Sequence, residues 1–448
     1  MNGVADPVKV GPTWVRWRVV ALLMALSYVS WFLRVSMAVA YVASIKDEFG
    51  ISPEAMGPVY SAFLLAYMLC MTPGGWLIDR RGVRAALTLM GFGLVLFGAL
   101  TGLVGASPRL LQRLPAAVSV AGLTLATPLL LFLVIRSLMG VFATPMYPAS
   151  AHAIAQWLPF RRRGWANGLV QGSAVVGIAS TPLVVGTLIE WFDWPQTFLV
   201  LAIGTALLTV VWALYATDRP EQHPGVNPAE RDLIAVDQPA ATAAAAPGRW
   251  VLLLRNRSLV CLTLSYAAVG YFEYLFFFWM DYYFKDELKM PDGQRRLYAG
   301  VPFLAMALGM AGGGWVSDRL VRRYGYRTGR AVVPVAGMLL GAAFLLLGIA
   351  VQQAEGIVAC FAVALASVGS VEAPTWQTAQ ELGGRRGGLA AGICNTGGNA
   401  GGLVAPILTP QIGERFGWPV AIALGSAVCL AGVLLWRWID PRERAAEE

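Results

Sequence analysis

Two arginines and two glutamates stand where charge is hardest to keep. Arg34 lies in the middle of SYVSWFLRVSMAVAYV and Arg136 inside LLLFLVIRSLMGVFA, while Glu273 falls in GYFEYLFFFWMDYYF and Glu372 in SVGSVEAPTWQ. A charge in so apolar a run is costly unless it faces a cavity or meets a partner. No aspartate or glutamate shares the run of Arg34, so an incoming carboxylate is one partner for it, and the planar guanidinium fork grips a carboxylate with two bonds. The alternative is structural, with Arg34 paired to a protein acid or to carbonyls. Arg136 has both options and a third, bracing or snorkelling along its helix. Burial favours the neutral form of a carboxyl, which a proton carrier needs. Glu372 and Glu273 are therefore proton-carrying candidates, with permanent neutralisation of an arginine as the alternative. Pro374, just after Glu372, favours a bent or broken helix beside a cavity. Asp281, near the end of its run, reads as gate or surface.

The elements that hold these groups follow from composition. Of 448 residues, 57% are hydrophobic and 13% charged, against roughly 25% charged in a soluble domain. That excludes a soluble enzyme and a disordered chain, and the number of apolar runs excludes a single-span receptor. A lipid-spanning helix needs about 20 residues, so twelve with short loops and tails account for the chain. The expectation is an all-α polytopic membrane protein with spans at 17–41, 56–78, 84–106, 117–155, 165–190, 196–217, 258–284, 297–318, 330–350, 356–380, 387–412 and 417–437. The fourth interval is too long for one crossing; Pro115, Pro128, Pro145 and Pro148 mark its entrance and bends, after a short loop from Ser107 to Pro115. The first run lacks a cleavage-like ending and reads as a first helix, not a removed signal.

Charge sets orientation. With the N-terminus inside, inner tails and loops hold 24 Lys and Arg residues, and the outer side holds eight: Lys46, Arg109, Arg113, Lys285, Lys289, Arg295, Arg296 and Arg415. The positive-inside rule then places both termini in the cytoplasm. The net charge of +8 thus belongs to membrane topology, with lipid and not nucleic acid as the partner. Five cysteines fall in apolar segments without CxxC spacing, and His152 and His223 are too few for a metal centre, so neither a disulfide framework nor a metal is expected. The glycine-rich AAGICNTGGNAGG permits close helix approach. It lacks the GK[ST] ending of a phosphate loop, so neither nucleotide hydrolysis nor any cofactor is expected, and enzyme chemistry finds no support.

The longest polar interruption, Asp218 to Arg257, contains the stretch PAATAAAAPG and reads as a tether. It divides the chain into residues 1–217, a linker at 218–257, and residues 258–448. A short helix at Pro228–Val236, capped by Asn227, is expected inside it. The two halves echo each other: GGWLIDRRGVR (Gly74 to Arg84) comes after span two, and GGGWVSDRLVRRYGYRTGR (Gly312 to Arg330) after span eight. Such a repeat suits two gated bundles.

On these stretches the sequence resembles the major facilitator superfamily, which implies twelve transmembrane helices in two six-helix bundles. In that family the Asp-Arg loop latches the cytoplasmic side. The resemblance assigns this role to Asp79 with Arg80 and Arg84, and to Asp318 with Arg319 and Arg322. Within the superfamily the chain resembles the anion:cation symporters of sugar acids and other carboxylates. The stretches are VYSAFLLAYMLCMTPGGWLIDRRG, RSLMGVFATPMYPAS, EQHPGVNPAERDLI and WQTAQELGGRRGGLAAGICNTGGNAGGLVAPIL. Two departures stand out. Where the family has Asn-Tyr-x-Asp-Arg in helix one, this chain reads SWFLR, with Leu33 at the acidic position before Arg34. Where it has Arg…Gly-x-x-Glu-Ala in helix four, this chain has Arg136…Gly140 and then Ala143. Those carboxylates resemble the proton-coupling groups of relatives, so coupling by that route is not expected.

By resemblance, Tyr67, Gln171 and Asn395 match substrate-contacting positions, with Asn399, Thr375 and Trp376 as further candidates. Amides and phenols offer the mixed donors and acceptors that hydroxyls need, and the structural alternative is that they satisfy one another across helices. Tyr271, Tyr274 and Trp279 are placed along the outer half of the pathway. The expectation is a monomeric inner-membrane transporter for a small organic anion, a sugar acid or carboxylate, with protons coupled through a relocated acid. The alternatives are an exchanger or uncoupled facilitator, a drug or siderophore exporter, and a non-transporting sensor. Cationic-drug export would put acids, not arginine, foremost in the cavity.

Overall fold

The computed structural model describes residues 11–107, 114–120, 123–235 and 250–440. The PAATAAAAPG tether, most of the loop from Ser107 to Pro115, and the basic residues Lys9, Arg109, Arg113, Arg249, Arg442 and Arg444 lie outside them. Among the described residues, nine helices are long and apolar enough to cross a membrane, so the chain is a polytopic helical membrane protein. Helix α1 (Val15–Ala40) runs on through a π-helical turn at Tyr41–Ile45 to Phe49. Helix α2 (Pro53–Ala106) starts on Ser52, whose side chain accepts from the Ala55 amide at 3.3 Å.

At 54 residues α2 would be about 81 Å long if straight, far beyond a bilayer core of about 30 Å. It breaks at Gly82, where φ 80° and ψ 170° suit glycine. Gly74 packs on Thr144 and Gly93 on Phe142, although a straight helix would hold them about 28 Å apart. The chain therefore folds back at Gly82. Helix α5 (Phe160–Tyr215, 56 residues) is interrupted in the same way at Asp193, with φ 61° and ψ 165°. Between them lie α3 (Thr127–Ala143) and α4 (Met146–Trp157), one span bent at Pro145 as its prolines suggest.

The fourth interval is where the all-α expectation needs correction. Ala117–Val120 (β1) and Leu123–Ala126 (β2) form an antiparallel ribbon with Ala117 opposite Ala126, and the helix starts only at Thr127. Val118, Val120 and Thr124 are β-branched, which suits a pleated ribbon.

After the linker helix α6 (Pro228–Ala235) come α7 (Arg257–Tyr282), α8 (Asp292–Tyr324), α9 (Tyr326–Ala350), α10 (Ala354–Gly369), α11 (Glu372–Gly383), α12 (Gly387–Phe416) and α13 (Trp418–Leu435). Helix α7 also ends in a π-helical turn, Tyr283–Glu287. The glycines of α12 do what their spacing suggests: a Cβ on Gly401 would stand 1.8 Å from the Ala267 carbonyl oxygen, and one on Gly397 2.4 Å from that of Thr263. Helices α7 and α12 thus meet backbone to backbone.

The linker helix has the expected cap, the Glu230 amide donating to Asn227 Oδ1 at 2.9 Å. Beyond expectation, it docks on α1. Fully buried Glu230 accepts from Arg16 Nη1 at 2.7 Å and from the Thr13 hydroxyl. His223 stacks edge-on between Trp157 and Tyr215. Breaking a buried pair leaves an uncompensated charge. Glu230→Ala is therefore expected to cost about 3 kcal/mol, read as a lower melting temperature of the detergent-purified protein. An unchanged melting temperature would mean the docked linker adds no stability.

Candidate functional site

Arg34 projects from the middle of α1 and is 5% exposed. Aromatic rings from three helices surround its guanidinium carbon: Trp31 centred 4.3 Å away, Phe63 4.7 Å, Tyr274 5.0 Å and Tyr67 5.9 Å. Ring faces attract a cation without neutralising it. One Nη donates to the Tyr274 hydroxyl at 2.5 Å, and buried Nε has no partner. No carboxylate among the described residues forms an ion pair with Arg34. Its donor fork is largely unspent.

Arg136 is turned the other way. From α3 its guanidinium donates to the backbone carbonyls of Leu33 at 3.3 Å and Arg34 at 2.6 Å, and contacts Met139 Sδ at 3.2 Å. Of the three uses open to it, this geometry is bracing: Arg136 holds α1 in place beneath Arg34.

The two glutamates do not neutralise these arginines. Glu273 on α7 and Glu372 at the first turn of α11 face each other within hydrogen-bonding reach. Helix α10 ends at Gly369 and α11 begins at Glu372, so the chain is broken just ahead of Pro374, as that proline suggests. Glu372 Oε2 accepts from the Tyr266 hydroxyl at 2.8 Å, which in turn accepts from Trp376 Nε1 at 3.1 Å. Tyr266 does not stand out in the sequence, though it lies seven residues before Glu273 and hence on the same helix face.

The remaining candidates scatter. Tyr67 is buried in the aromatic cage. Gln171 is exposed on α5, and Asn395 is half-buried, its carbonyl accepting from the Asn399 side chain at 2.9 Å within the same helix. Thr375 is buried with its hydroxyl unpartnered, and Trp376 serves Tyr266. Tyr274 bonds to Arg34, Tyr271 contacts Thr409, and Trp279 lies among Tyr41, Tyr60 and Trp418.

The two ends of the molecule differ. At the Lys46 end, Lys46 pairs with Asp286 at 2.5 Å, Lys285 donates to the Val42 carbonyl at 2.6 Å, and Arg296 pairs with Glu190 at 2.5 Å. Tyr60 stacks on Phe278 at 4.5 Å. These contacts join elements before the linker to elements after it. Asp281 is not a surface group, since it is buried against Arg295 at 2.5 Å. At the opposite end the latch residues stay apart. Asp79 is exposed without an ion pair among the described residues, and Arg80 lies over Trp76. The Arg84 backbone amide donates to Asp218 Oδ1 at 2.9 Å and its guanidinium Nε to the Ala213 carbonyl at 2.8 Å. Asp318 pairs not with Arg319 or Arg322 but with Arg330, at 2.8 Å, which also reaches Glu381 at 3.2 Å and Gln377 at 2.5 Å. Arg319 lies over Trp315, and Arg322 is exposed.

The sequence profile of the major facilitator superfamily matches residues 20–388. The chain belongs to the major facilitator superfamily. The chain is 29% identical over 419 residues to the D-galactonate transporter of Escherichia coli O6:H1, covering 90% of each chain. It is 27% identical over 435 residues to a probable galactarate/D-glucarate transporter of Bacillus subtilis, covering 94% of this chain and 91% of that one. With the probable sulfoacetate transporter of Cupriavidus necator it shares 26% identity over 431 residues, 95% of this chain and 94% of the relative. Its fold matches a bacterial homolog of the human lysosomal transporter Spinster, solved inward-facing and occupied, with a TM-score of 0.73, 12% identity, and 98% and 100% of the two chains covered. The protein is thus a multi-pass secondary transporter, related to carriers of sugar acids and other organic anions.

Proposed function

We propose that this transporter carries a small organic anion, a sugar acid or carboxylate, by alternating access, with Arg34 as its main electrostatic anchor. The observation that carries the reading is the buried, caged guanidinium with unspent donors and no carboxylate partner among the described residues. Tyr67 would border the site, and Arg136 would act as a brace. Gln171, Asn395, Asn399, Thr375 and Trp376 stay candidates for hydroxyl contacts.

Twelve crossings result if the folded-back α2 and α5 each count as two and the 30-residue α12 as one more. Residues 1–217 and 258–448 would then be two six-helix bundles, with 218–257 linking them. The positive-inside rule makes the Lys46 end the outer side and places both termini in the cytoplasm of an inner-membrane protein. This conformation is then closed outside, and the Asp79 and Asp318 loops are the inner gate in its parted state. One chain holds both bundles, so a monomer suffices.

The test is uptake by proteoliposomes of radiolabelled D-galactonate, galactarate, D-glucarate and sulfoacetate, with and without an inward proton gradient. Uptake of at least one anion, with cationic drugs not moved, is expected. Transport of cations in preference to every anion would sink the reading. Acceleration by internal anion, with no response to the gradient, would mean exchange instead of symport.

A further inference from the structure

Resting on the anion-transport reading, the site of proton coupling can be narrowed from two separate candidates to one paired site. We infer that Glu273 and Glu372 form a dyad that binds a single proton between them. Both carboxylates are buried, at 8% and 9% exposed, and they face each other across α7 and α11. Glu273 Oε1 and Glu372 Oε1 are buried with no hydrogen-bond donor. Orphaned acceptors in such a place are expensive, and of two carboxylates in contact one is held strongly toward its protonated form. One proton supplies the missing donor.

The neighbouring bonds say where that proton does not sit. Trp376 Nε1–H can only donate, so the Tyr266 oxygen accepts from it and turns its own hydrogen toward Glu372 Oε2. That oxygen is fixed as an acceptor, leaving the shared proton to the remaining oxygens. The other titratable groups around the pair are Tyr266 and Tyr274 on α7, and Cys394 on α12. From α1, Arg34 reaches only the Tyr274 hydroxyl. No cation among the described residues pairs with either glutamate. Loading forms one O–H bond, taking the proton from hydronium and leaving water, and lowers the charge of the pair from two negative to one. Release reverses it.

Tyr274, bonded to Arg34, comes directly after Glu273 in α7. The anion site and the proton site are therefore adjacent on one helix, and movement of α7 reaches both. The dyad takes the place of the two carboxylates absent at Leu33 and Ala143.

The test uses the full-length protein in lipid nanodiscs and then in liposomes. Infrared difference spectra between acid and alkaline buffer follow the C=O stretch of protonated carboxyls and need no substrate. Wild type is expected to show one buried protonated carboxyl, and E273Q/E372Q to lose it. Each single variant should shift the midpoint of the remaining group by at least about one pH unit, a tenfold change in proton affinity. E273D and E372D should keep a shifted band, which separates loss of the acid from loss of the fold. The dyad is overturned if the double variant keeps the band, or if each single variant removes one band and leaves the other unmoved. In liposomes with D-galactonate and sulfoacetate as probes, E273Q and E372Q should each lose gradient-driven accumulation yet keep anion exchange. The double variant should be no worse than either, the non-additivity of groups acting as a unit. Multiplying effects would overturn the dyad. If wild type moved neither probe while the infrared result held, the transport reading would fail and the shared proton would stand.

Discussion

Arg34→Ala is expected to abolish high-affinity anion binding and to reduce uptake by at least about thirtyfold. Truncating one partner of a buried, hydrogen-bonded charge pair costs about 2–5 kcal/mol, and each 1.4 kcal/mol is roughly a factor of ten. Arg136 cannot substitute, because its guanidinium is committed to the Leu33 and Arg34 carbonyls. Arg34→Lys is the informative companion. It keeps the charge inside the Trp31, Phe63 and Tyr274 cage but loses the fork, so it should recover only part of the affinity, staying about tenfold weak. Binding and uptake of labelled D-galactonate or sulfoacetate by the purified variants measure both. Wild-type uptake by Arg34→Ala would dismiss the anchor.

Gly57→Leu is the second large effect, and it acts on conformation instead of binding. Gly57 lies in the first turns of α2, where a Cβ would stand 2.3 Å from the Pro406 carbonyl oxygen of α12. The neighbouring Ser61 hydroxyl donates to the Leu403 carbonyl at 2.7 Å. A backbone oxygen cannot swing aside as a side chain can, so a larger residue must push the helices apart. Overpacking of this kind costs about 3 kcal/mol, enough to shift a two-state population by about two orders of magnitude. The variant is expected to fold, stay open at the Lys46 end, and lose transport. Spin labels on Glu54→Cys and Glu414→Cys should report a longer distance than in the parent. An unchanged distance with normal transport would rule out this contact as the closing surface.

Much of this architecture is legible in the sequence, and the parts that are not have physical reasons. Span positions come from hydropathy, and the linker helix from Asn227 and Pro228, because both are local properties. The β-ribbon of Ala117–Val120 and Leu123–Ala126 escapes a sequence reading because a short apolar run carries no period that separates strand from helix. The burial of Arg34, Arg136, Glu273 and Glu372 can be read from their apolar runs. Their partners cannot, because pairing depends on which helix faces meet. Arg136 turns to backbone, the glutamates to each other, and Asp318 to Arg330 at the far end of its motif, not to the adjacent arginines. Helix–helix contacts made through glycine backbones leave almost no directional signal in sequence.

The π-helical turns that end α1 and α7 have a consequence for phase. Such a turn holds one more residue than the α-helix around it, and each extra residue rotates the side chains beyond it by about 100°. Lys46 comes just after one of these turns, and Asp286 sits inside the other. With both segments wound as plain α-helix, the two side chains would point to different azimuths and the 2.5 Å pair could not form. Rewinding a single residue would therefore unfasten this pair while the Arg296–Glu190 and Tyr60–Phe278 contacts stay where they are.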